Sequence, residues 1–71
     1  MIKMREHLLS ALRAYYVGHI EKHKANIFNL FENPVGVAEH SDHVETVSKE
    51  VELLAKYDEM LQAVDKYFGE K

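Results

Sequence analysis

The chain has 71 residues, no cysteine and a formal net charge of −3, which bounds it to one small domain without disulfides or thiolate zinc sites. A domain this short buries only about 60% of its unfolded surface, so it needs a staple, and without cysteine that staple is oligomerisation or a histidine and carboxylate metal site. The acidic balance argues against nucleic acid. No run approaches the ~18 apolar residues of a membrane span, and the N-terminus lacks the apolar core and cleavage site of a secretory signal, which together imply a soluble intracellular protein.

The first element is predicted as a helix over about residues 2–31. No proline interrupts it, and its only glycine is Gly18. Leu9, Leu12, Tyr16, Ile20, His23, Ile27 and Phe31 recur at spacings of three and four, the stripe of an amphipathic helix. Leu8, Ala11, Tyr15, His19 and Leu30 widen that stripe beyond what one partner helix covers. Gly18 costs about 1 kcal/mol relative to alanine inside a helix, so close approach of a second helix is expected there, with a kink as the alternative.

The helix must stop at Asn33-Pro34, because the residue before proline is pushed out of helical conformation. Asn33-Pro34-Val35-Gly36 fits a type I turn, and the bend is expected over residues 32–41. Val37 and Ala38 are apolar in an otherwise polar bend. Val37 is therefore expected to fold back over the open end of the helices and be buried.

The second helix is expected over about residues 42–68. Ser41 or Asp42 would cap it, and Asp42 with Glu45 forms a pair resembling a capping box. Its apolar stripe is Val44, Val47, Val51, Leu54, Leu61, Val64 and Phe68, with Tyr57 beside it. Asp58 falls on the seam and would need Tyr16, Arg13 or His19 as a partner. Gly69 is the expected C-cap.

An antiparallel hairpin bending at 32–41 pairs residues whose numbers sum to roughly 74, given 3.6 residues per turn. The charges agree. Residues 1–31 carry five basic against two acidic side chains, +3, and residues 32–71 carry four against ten, −6. Two helices cannot hide both stripes, so the expected architecture is all-α: a helical hairpin that dimerises into a four-helix bundle. The association residues would be Leu9, Leu12, Tyr16, Ile20, Ile27, Val47, Val51, Leu54, Leu61, Val64 and Phe68.

Few residues carry recognisable chemistry. His40 and His43 lie in a run with Glu39 and Asp42, and His19 and His23 share a helix face; either pair could contribute to a divalent metal site. Against this, Ser41 and Asp42 are explained by capping. His19 is followed by isoleucine rather than the glutamate of the zinc-protease signature. The plainer expectation is that His19 and His23 are seam histidines bonded to carboxylates such as Asp58 or Glu50, with no metal or cofactor. No nucleophile elbow or phosphate-binding glycine loop exists, so an enzyme is not expected.

The strings Gly18-His19-Ile20-Glu21-Lys22-His23, Ala25-Asn26 and Asn33 through Asp42 resemble a family of small uncharacterised proteins. These are encoded by large tailed bacteriophages, notably those infecting marine cyanobacteria. The resemblance extends over most of the chain, and its most specific part is the central ten-residue string. It implies a phage product acting in the host cytoplasm or in the phage particle, and it brings no catalytic residues. The resulting expectation is a non-enzymatic interaction or assembly protein, a homodimer, with a phage or host protein as a further partner. The alternatives are a small metal-binding protein and a modulator of a host protein.

Overall fold

The computed structural model describes residues 3–32 and 40–69; the side chains of His40 and Ser41, and the whole of Val37, lie outside the description. Two helices of equal length, α1 (Met4–Glu32) and α2 (His40–Phe68), pack against each other as an antiparallel hairpin. At 1.5 Å per residue each is about 43 Å long, and the chain extends 53 × 20 × 14 Å.

The ends show why the helices stop where they do. The Lys3 carbonyl accepts the first bond of α1, from the His7 amide at 3.0 Å, and Glu6 lies in the first turn, at the positive end of the helix dipole. The helix ends at Glu32, one residue before the Asn33-Pro34 pair that forbids continuation. Helix α2 begins at His40, two residues earlier than expected, so Asp42 belongs to its first turn instead of capping it from outside. Its carboxylate still suits the dipole, and its carbonyl accepts the Thr46 hydroxyl at 2.8 Å. At the other end of α2 the Phe68 carbonyl accepts a bond from the Arg5 guanidinium at 3.1 Å. That contact satisfies an orphan carbonyl and places a cation at the negative end of the dipole.

Gly69 is not a left-handed cap, since no glycine among the described residues has positive φ. Its amide continues to the Asp65 carbonyl at 3.2 Å, and a Cβ there would approach that carbonyl oxygen to 2.6 Å. Space rather than handedness explains this glycine.

Register follows from side-chain pairs. His23 meets Glu50, Tyr16 meets Tyr57, Arg13 meets Asp65 and Arg5 meets Phe68, with numbers summing to 73, 73, 78 and 73. The basic half of the chain thus lies along its acidic half. Asp58 corrects the expectation of a seam carboxylate: it is exposed and accepts a bond from Gln62 on its own helix at 2.8 Å. Tyr57 takes the seam position, because rotation by one residue carries the aromatic ring inward and the charge outward.

Gly18 is a second correction. It is exposed, and a Cβ built there meets nothing within 4 Å, so no helix approaches it within the hairpin. Its φ is not positive either. Gly18→Ala is therefore expected to stabilise the chain by about 1 kcal/mol, read as a higher midpoint in urea with an unchanged slope.

The core is thin. Among the described residues only Ile27 and Val64 are buried apolar side chains, 7% and 8% exposed, and His23 is the one buried polar residue, 5% exposed. The chain exposes 5829 Å², whereas a compact monomer of 8.3 kDa exposes about 4,600 Å². Its radius of gyration, 16.1 Å, compares with about 11 Å for a compact domain of this length.

Candidate functional site

Two features combine functional side chains: a polar aromatic layer within the seam, and the apolar surface left outside it. The layer arises from helical spacing. His19, His23 and Asn26 are four and three residues apart on α1, while Glu50 and Tyr57 are two turns apart on α2, so both sets face the seam. His23 Nδ1 lies 2.7 Å from Glu50 Oε1, and the Asn26 amide donates to the same oxygen at 3.1 Å. These two hydrogen bonds, His23 first, hold the Glu50 carboxyl below the ordinary glutamate range against the opposing effect of desolvation. The carboxylate is thus fixed by two donors from the opposite helix, an arrangement that sets register.

Tyr57 fills the next level. The His19 ring stacks on it at 4.2 Å between centroids and 9° between planes, and Tyr15 meets His19 edge-on at 4.6 Å. His23 also lies nearly parallel to Tyr57, at 5.9 Å. His19 Nδ1 is buried and has no hydrogen-bond partner among the described residues.

His19 and His23 have ring centroids 6.1 Å apart, with one ring occupied by Tyr57 and the other by Glu50. His43 lines an apolar groove with Phe31, Val44 and Val47, and its Nδ1 is buried without a partner among the described residues. Among the described residues no three histidine, aspartate or glutamate side chains converge as a metal site. The His40 side chain lies outside the description.

The expected association residues divide by depth. Ile27 and Val64 are buried; Leu9, Leu12, Tyr16, Ile20, Val47, Leu54 and Leu61 are half-buried; Val51 and Phe68 are exposed. Six of them, Leu9, Ile20, Val47, Val51, Leu54 and Phe68, line open grooves on one side of the hairpin. Most of the large exposed apolar side chains are residues not named in that set.

That surface has two flanks, one on each side of the seam. On one, three grooves follow one another, bringing together Phe31 with Val44, Ile20 with Val51 and Ala55, and Arg13 with Asp65. This valine flank is almost wholly apolar toward the bend and mixed toward the chain ends, where Leu9 and Phe68 lie among charged side chains. The other is marked by the Tyr15–Tyr57 contact and is apolar toward the chain ends, where Met4, Leu8, Tyr15 and Tyr67 are exposed. Met4, Leu8, Ala11 and Tyr15 recur at spacings of four, three and four, a second stripe that the sequence displays as clearly as the first.

Among the described residues no helix is long and apolar enough to cross a membrane. No protein-family model, no curated protein and no solved structure matches this chain.

Proposed function

We propose that the protein is a non-enzymatic helical interaction module that self-associates through its apolar flanks, two hairpins completing a four-helix bundle. The observation that carries this reading is the mismatch between core and surface. Two apolar side chains are buried among the described residues, while ten large ones, including Phe28, Phe31, Val44 and Tyr67, stay exposed. The exposed area exceeds that of a compact monomer by roughly 1,200 Å². A standard interface removes about 800 Å² per partner, and obligate dimers remove more. Exposed apolar surface gathered on the flanks of a hairpin marks an interaction site.

The resemblance to tailed-phage proteins supports an assembly role in an infected bacterial cell or in the particle, with a phage or host protein as a further partner. Sedimentation at micromolar concentration is expected to give twice the chain mass. Ile20→Asp, which places a charge in a groove between Val51 and Leu54, is expected to convert the dimer to monomer or unfold it. A folded wild-type monomer at that concentration would reject the reading.

A further inference from the structure

We propose that the second copy docks on the valine flank with both bends at the same end, so that α1 of one chain lies on α2 of the other. This rests on the self-association reading and adds the surface and the orientation. The occupant is a second copy because the flank runs the length of the hairpin, its two helices carry opposite charge, and the excess area of the whole chain is enough for one interface of about 800 Å² per partner.

Two independent features fix the orientation. The first is the uneven distribution of apolar surface along the flank. The groove at the bend is lined by Phe31, Val44 and Val47 with His43 and Ser48, whereas the groove at the chain ends sets Arg5, Glu6, Arg13 and Asp65 beside Leu9 and Phe68. A two-fold axis parallel to the helices brings apolar half onto apolar half. A two-fold axis perpendicular to them, at full overlap, would press Val44 and Phe31 against the charged half.

The second is charge. On this flank α1 carries Arg5, Arg13 and Lys24 against one acid, Glu6, while α2 carries Asp58 and Asp65, and no lysine of α2 lines these grooves. With the bends together, Arg13 of one chain lies at the level of Asp65 on the partner's α2, extending the ion pair it makes within its own chain. With the bends opposed, α1 stacks on α1, which sets Arg13 near the level of the partner's Lys24, and Asp65 of α2 meets the apolar end of the partner's α2 in place of an arginine. Opposite potentials across an interface set orientation more than raw affinity, which is the distinction required here.

The test uses the full-length chain. Val51 and Val44 are 46% and 67% exposed in the hairpin, and Leu8, on the other flank, is 60% exposed. Val51→Asp and Val44→Asp are each expected to give a helical monomer by sedimentation and circular dichroism, while Leu8→Asp remains a dimer. Val44 is the more exposed of the two, so Val44→Asp remains informative if Val51→Asp unfolds.

Orientation is then read from distances between identical spin labels at Asp42→Cys and, separately, at Lys66→Cys, both exposed positions. With the bends together, both distances are limited by bundle width, about 30 Å for two helix diameters and the labels. The two sites are about 36 Å apart along α2 at 1.5 Å per residue. Opposed bends therefore put at least one pair about 36 Å or more apart along the axis, wherever the two-fold crosses. Two short distances support the proposal. One long distance, or a dimer broken by Leu8→Asp and not by the valine variants, overturns it while leaving self-association intact. A wild-type monomer would instead remove the reading on which it rests.

Discussion

Replacing His23 with alanine is expected to destabilise the fold by about 2–4 kcal/mol, from loss of a charged hydrogen bond together with a cavity at a packed site. His23 is the one buried polar residue among those described, and its ring joins Glu50 on one side and the Tyr57 stack on the other. Glu50 would keep only the Asn26 amide, at 3.1 Å. The pair also has a pH signature. Because the folded state lowers the Glu50 pKa, its contribution is present above the ordinary glutamate value of 4.5 and is lost as pH falls below it. Glu50→Gln should therefore be less stable than wild type at neutral pH by about 1–2 kcal/mol, with the gap closing in acid. Urea midpoints for both proteins across this range check the prediction; a gap that stays constant into acid would show that the carboxylate charge contributes nothing.

Ile27→Ala is expected to cost about 2–4 kcal/mol, the range for removing a buried isoleucine side chain. The effect is large relative to the total because small single domains carry only about 5–15 kcal/mol and this hairpin has two buried apolar residues among those described. Tyr67→Ala is the comparison: Tyr67 is exposed on the flank away from the proposed interface, and its removal should change stability by at most about 0.5 kcal/mol. Equal losses at the two positions, measured by urea unfolding, would show that burial in the isolated hairpin does not describe the folded species.

The hairpin itself was legible in the residues, because Pro34 dictates where the first helix stops and two stripes of three- and four-residue spacing fix the elements. Register was legible too, from helix length and from the opposite charge of the halves. Rotation about each helix axis was less so. Asp58 and Tyr57 are neighbours and either satisfies a heptad position within one residue, so spacing alone could not decide which faced inward; the match of Tyr57 to His19 and Tyr16 decides it. The cost of Gly18 to helix stability implies a compensating contact, but a cost does not identify the partner. The division of the remaining apolar surface into two flanks was visible as the Met4, Leu8, Ala11 and Tyr15 spacing. It acquires meaning only when the side of the seam that each residue occupies is known. The His19–Tyr57 stack has no sequence signature, since it depends on the angle at which the two helices meet.

The most direct test of a hairpin completed by a second copy is thermal unfolding over a hundredfold range of chain concentration. If dimerisation supplies what the thin core lacks, folding is coupled to association and the melting temperature rises with concentration, each tenfold step adding about 1.4 kcal/mol to the stability of the dimer. A melting temperature independent of concentration, with monomer mass at every point, would contradict it.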